Sequence, residues 1–223
     1  MPANRAGNVS DPHAGQPVLR SGPAPATAKL SMILVHGRGA SAEDIVALAE
    51  ELELDHVAYI APQAAGRTWY PYSFLAPIGQ NEPGLSSGLA VLARLIAELR
   101  DDGVERERIA LLGFSQGACL ALEFSARHAA RYAGVFGLSG GLIGPPGTPR
   151  DYEGSFDGTP VFLGCSDVDP HIPLARVQES ADVFRRLDGA VDERIYRGMG
   201  HTVNADEISA IATLVRTRFP QTR

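Results

Sequence analysis

The residues of this 223-residue chain that could do chemistry are best sought among its serines, histidines and carboxylates. Ser115 lies in Gly113-Phe114-Ser115-Gln116-Gly117, a G-x-S-x-G pattern. A serine hydroxyl is a poor nucleophile until a neighbouring imidazole takes its proton. The pattern exposes such a hydroxyl on a tight turn between a strand and a helix. Glycines relieve the crowding of the turn, and the helix N-terminus faces the negative charge that develops during reaction. A second match, Gly137-Leu138-Ser139-Gly140-Gly141, shows that the pattern alone is weak. Context separates the two. Ser115 follows the apolar run IALLG and precedes ACLALEFSA, whereas Ser139 precedes GLIGPPGTP, which cannot be a helix.

Three histidines follow Ser115. His128 falls in a helix and reads as a surface residue. His171 stands beside the carboxylates that could serve as the acid. His201, in Gly198-Met199-Gly200-His201, follows the next strand and precedes a capped helix, which is where the general base belongs in the chain order Ser, acid, His. Asp167 and Asp169 both follow the strand VFLGC, and spacing does not choose between them. Acyl transfer also needs two preorganised N–H donors, each worth roughly 3 kcal/mol of barrier. The backbone of Gln116, after the nucleophile, supplies one. The glycine-flanked Arg38 in His36-Gly37-Arg38-Gly39 supplies the other.

These residues need a frame. Apolar runs at Ser31–His36, His56–Ile60, Ile109–Gly113, Gly134–Leu138 and Val161–Gly164, with Asp192–Tyr196, read as strands. Between them lie helical patterns: one capped by Ser41 with Asp44, one on Leu85, Leu89, Leu92, Ile96 and Leu99, and others over Ala118–Ala129 and Leu174–Leu187. A last helix is capped by Asn204 with Glu207. Strands alternating with helices imply an α/β fold whose mostly parallel sheet is covered by helices on both faces. Ligands in such sheets sit beyond the carboxyl ends of the strands.

One domain over 27–223 is expected, preceded by a flexible tail over 1–26 that is rich in Pro, Ala and Gly, with a short edge strand at Gln16–Arg20. A net charge of −6 argues against nucleic acid or anionic membrane as partner. No run is long enough to span a bilayer, and no secretory signal is visible. Cys119 and Cys165 form no framework and read as buried packing residues, so a cytoplasmic home is expected. No cofactor is expected, because H-E-x-x-H, zinc-ligand spacing and G-K-[ST] are all missing. Gly37-Arg38-Gly39-Ala40-Ser41-Ala42 fits a dinucleotide fingerprint but lacks the acid that should end the following strand.

With these residues placed, the chain resembles the phospholipase/carboxylesterase family of α/β-hydrolases, which includes bacterial carboxylesterases and acyl-protein thioesterases. The resemblance spans about residues 29–219 and rests on LVHGRGAS, the Trp69-Tyr70 loop, NEPGLSSG, GFSQGACLAL, SDVDPHIP and GMGHTV. It implies Ser115 as nucleophile, His201 as base and, as the Asp directly before Pro, Asp169 as acid. It also matches Arg38 and Gln116 as the oxyanion donors, and it allows a homodimer.

Three motifs depart from the thioesterase branch. His-Gly-Arg-Gly-Ala stands for HG-[LM]-G-D, Trp69-Tyr70-Pro71 for W-[FY]-D, and Asn81-Glu82-Pro83-Gly84 for D-E-x-G. The expected activity is therefore hydrolysis of small to medium carboxylic esters, with a thioesterase or lysophospholipase as the alternative. A catalytically silent binding protein on this fold is the rival from another class, and the complete catalytic set argues against it. Trp69, Tyr70, Phe74 and Ile172 are the expected substrate-pocket residues.

Overall fold

The computed structural model describes residues 11–220. Seven strands form one sheet in the order β1-β3-β2-β4-β5-β6-β7. The strands are β1 (Val18–Ser21), β2 (Leu30–Val35), β3 (Val57–Pro62), β4 (Ile109–Phe114), β5 (Gly134–Leu138), β6 (Pro160–Ser166) and β7 (Ala190–Tyr196). Only β1 runs antiparallel, against β3. Every residue of β2 is buried because both faces of this strand are covered. Ile33 and Val35 enter one apolar layer, while Met32 and Leu34 enter the other.

Helices α1 (Ala42–Glu50) and α5 (Ala205–Arg218) cover the second of these layers with Ile45, Val46, Ile211 and Val215. Helices α2 (Gly84–Asp101), α3 (Gln116–Arg127) and α4 (Leu174–Arg186) cover the first. The two capping boxes read from sequence are formed. Ser41 Oγ accepts from Asp44 N, and Asn204 Oδ1 accepts from Glu207 N, each with the reciprocal carboxylate bond back to the cap. From the adjacent central pair β2 and β4, the sheet grows outward in opposite directions, which opens a crevice above their carboxyl ends.

Of the tail expected over 1–26, residues 1–10 lie outside the described residues, and residues 11–26 carry contacts to the domain. His13 is 2% exposed. The edge strand is present but begins two residues later than expected, at Val18. The segment has few apolar side chains to bury, and polar bonds hold it instead. His13 Nδ1 accepts from Ala65 N, its Nε2 donates to Trp69 O at 2.9 Å, and its amide donates to Ser87 Oγ. Hydrophobic patterning is blind to an anchor of this kind.

Candidate active site

Ser115 sits between β4 and α3 with φ 56° and ψ −120°, a left-handed conformation costly for a side chain bearing Cβ. The flanking glycines are required by contact. A Cβ on Gly113 would lie 2.4 Å from Gly117 O, and a Cβ on Gly117 would lie 2.0 Å from Val35 O. The turn therefore packs its backbone directly on β2 and aims the Ser115 hydroxyl upward. Ser139 has a similar φ of 51°, but no helix follows it, and its hydroxyl is fully buried without a hydrogen-bond partner.

His201 Nε2 lies 2.8 Å from Ser115 Oγ, and Nδ1 lies 2.7 Å from Asp169 Oδ2. A carboxylate can only accept, so Nδ1 carries the proton and Nε2 accepts from the serine. Asp169 is itself held. Its Oδ1 accepts from the His171 and Ile172 amides at 2.8 and 3.0 Å, and the Cys165 thiol approaches Oδ2 at 3.8 Å. Burial acts to raise the Asp169 pKa. The hydrogen bonds from the His201 ring and the two amides outweigh it and hold the carboxyl below its ordinary value.

Asp167, the other aspartate after this strand, does not meet the imidazole ring. Its Oδ1 accepts from Gly198 N, while Ser166 Oγ accepts from Gly200 N. Both bonds shape the loop that carries His201, whose Gly198 and Gly200 adopt φ of 66° and 79°. Phe114 supports the imidazole from one side, with ring centroids 5.1 Å apart, and His171 meets it edge-on at 4.8 Å.

The amides of Arg38 and Gln116 have no partner in the loops, turns and caps of the described residues, so both remain available to a ligand. Their side chains grip one loop. Gln116 Oε1 accepts from Trp69 N and Nε2 donates to Tyr70 O, at 2.9 and 2.8 Å. The Arg38 guanidinium donates to Thr68 Oγ1 and to the carbonyls of Tyr70, Pro71 and Tyr72. Asn81 completes the brace, accepting from Tyr72 N and donating to Ser73 O.

A cavity of about 530 Å³ opens above Ser115 and His201, with Tyr70, Phe74, Ile172 and Cys119 in its walls. Trp69, expected among them, is not a lining residue. It is wholly buried, with its indole N–H donating to His36 O, because the loop turns this ring inward and presents Tyr70 instead. Tyr72 and Ser73 of the same aromatic loop also line the cavity, as do the side chains of Arg38 and His171, which the sequence does not mark as pocket residues. For His171 the signal was available, since it follows Asp169-Pro170.

The model of the phospholipase/carboxylesterase family matches residues 16–218. This chain belongs to that family. It is 42% identical to a phospholipase/carboxylesterase of known structure from Dyadobacter fermentans, covering 89% of this chain and 95% of that one with a TM-score of 0.86. Acyl-protein thioesterase 1 of Kluyveromyces lactis is 30% identical over 81% of this chain and 88% of its own. Acyl-protein thioesterase 1 of Yarrowia lipolytica is 30% identical over 85% and 92%. The architecture is the α/β-hydrolase fold, and the family is one of hydrolases. No helix among the described residues is long and apolar enough to cross a membrane, and no cluster of His, Cys, Asp or Glu among them could hold a metal ion.

Proposed function

We propose that this member of the phospholipase/carboxylesterase family is a serine carboxylesterase acting on small to medium carboxylic esters. The observation that carries this reading is the unbroken hydrogen-bonded path from Ser115 Oγ through His201 to Asp169, at 2.8 and 2.7 Å. His201 takes the Ser115 proton as the hydroxyl attacks the ester carbonyl. The amides of Arg38 and Gln116 receive the oxyanion. The alcohol leaves with the proton from His201, and water then cleaves the acyl-enzyme by the same route. Asp169 fixes the imidazole tautomer and stabilises the imidazolium. The cavity of about 530 Å³ suits a substrate of modest size. Both cysteines are buried and unpaired, which agrees with a reducing, cytoplasmic setting.

The test is fluorophosphonate labelling of wild type and Ser115→Ala, read by intact mass and peptide mapping, together with hydrolysis of short p-nitrophenyl esters. Labelling and turnover should both vanish in the variant. Labelling at Ser139 instead would overturn the assignment. A second reading, thioesterase activity toward acylated proteins, is favoured by the two fungal relatives that bear that name. Long acyl thioesters turned over in preference to short oxygen esters would establish it.

A further inference from the structure

The charge at the mouth of this site is opposite in sign to that of the chain. The chain carries a net charge of −6, yet among the described residues no carboxylate lines the cavity above Ser115. Its lining includes Arg38 and His171. The Arg38 guanidinium is exposed, and all four of its partners are neutral oxygens, so its charge is oriented by dipoles but cancelled by none of them. Its Nε–H has no partner among them. His171 stands edge-on to the His201 ring at the same mouth, exposed, with no hydrogen bond from either ring nitrogen to the described residues. Ser73 Oγ accepts from Leu75 N, which leaves its hydroxyl proton free to donate. Of the two aspartates after β6, Asp169 has a side chain with no exposed surface and is turned to His201, while the exposed Asp167 does not line the cavity and accepts from Gly198 N instead. The mouth thus offers N–H and O–H donors and an uncancelled cation, in a cleft whose low-dielectric walls focus the field.

We propose that the natural substrates are esters carrying an anionic carboxylate arm, which Arg38 and His171 hold at the mouth while Ser115 attacks the ester carbonyl. The proposal rests on the esterase reading above and names its substrate class. The apolar walls of Tyr70, Phe74 and Ile172 accept the hydrocarbon between the two functional groups. Arg38 sets the field and the geometry of the loop, because its four outer N–H groups are engaged. His171, with both ring nitrogens free, supplies the direct bond.

Two matched pairs of substrates test this on the full-length protein. The mono-p-nitrophenyl ester of adipic acid is compared with p-nitrophenyl hexanoate, which places the charge on the acyl side. p-Carboxyphenyl hexanoate is compared with p-carbamoylphenyl hexanoate, which places it on the leaving group. The ratio of kcat/KM, anionic over neutral, should reach about tenfold on one arm at low salt and shrink as salt is added. His171→Leu and Arg38→Met should each bring that ratio toward one; because it is taken within each variant, loss of folded protein cancels. A ratio at or below one on both arms, in protein whose Ser115 takes up fluorophosphonate, overturns the anionic class and leaves the esterase reading standing. A ratio unchanged in both variants overturns it as well. Absence of both labelling and turnover removes the esterase reading first.

Discussion

At the scale of single residues, the two aspartates after β6 have been given different work by a shift of two positions. Asp169 meets the imidazole, whereas Asp167 meets the backbone of the loop that presents it. Asp169→Asn should therefore lower kcat by about four orders of magnitude, since an amide N–H facing Nδ1 favours the wrong tautomer. Asp167→Asn keeps an oxygen that can accept from Gly198 N, and kcat/KM on a p-nitrophenyl ester should fall by less than about tenfold. Equal losses in the two variants would contradict the division of roles. Ser139→Ala removes a buried hydroxyl that has no partner, so labelling should persist and the urea midpoint should hold or rise slightly. That Ser115 and His201 would meet was legible in the sequence, because an elbow and a loop after a strand are local settings that patterning reveals; the two lie 2.8 Å apart. Spacing alone does not separate Asp169 from Asp167, because both share one setting; the Asp-Pro motif of the family resemblance points to Asp169, and it is Asp169 whose side chain faces His201.

Elements were legible in proportion to their apolar content. Strands buried on both faces and helices with capping boxes stand out, and they occur within a few residues of where patterning places them. The loop over residues 63–83 and the segment before β1 were opaque because polar bonds order them. His13 joins the two. Its Nδ1 accepts from Ala65 N and its Nε2 donates to Trp69 O, while Trp69 N donates to Gln116 Oε1, so the N-terminal segment reaches the residue proposed to receive the oxyanion. His13→Ala strands a half-buried amide and a buried carbonyl, at about 1–3 kcal/mol of stability. The same change should loosen the loop that carries Tyr70 and Phe74 and raise KM for hexanoate several-fold more than it lowers kcat. Steady-state kinetics read beside a denaturation curve check this. Lost stability with unchanged KM would reduce His13 to an anchor with no bearing on the pocket.

At the scale of the whole molecule, a polar conflict lies between sheet and helix after the loop that carries His201. Glu207 caps α5 through Oε2, which accepts from Asn204 N at 2.9 Å, yet its residue is wholly buried and Oε1 has no partner. That oxygen rests on Gly164 of β6, where any Cβ would lie 2.1 Å from it. The glycine makes room for the carboxyl between sheet and helix. Burial pushes the Glu207 pKa up to about 7 from its ordinary 4.5, against the lowering effect of the Asn204 bond, and the Asp206 charge adds to the rise. A raised carboxyl stabilises the fold fully below the ordinary value, and this contribution is lost as pH climbs through about 7. The window amounts to roughly 3 kcal/mol at most. His36 and His56 act in the opposite sense, since burial lowers both and their protonation costs stability as pH falls below 6.5. The wild-type curve of melting temperature against pH therefore mixes the two. The difference between wild type and Glu207→Gln isolates the carboxyl, because the histidines are common to both proteins. Glutamine retains the oxygen that caps Asn204 and cannot ionise. Going from pH 5 to pH 8, the variant should gain in melting temperature relative to wild type, by several degrees for a chain of this size. A difference that stays constant across that range would mean that Glu207 titrates like an exposed carboxylate, and that the space beside Gly164 holds a charge the protein stabilises by some other means.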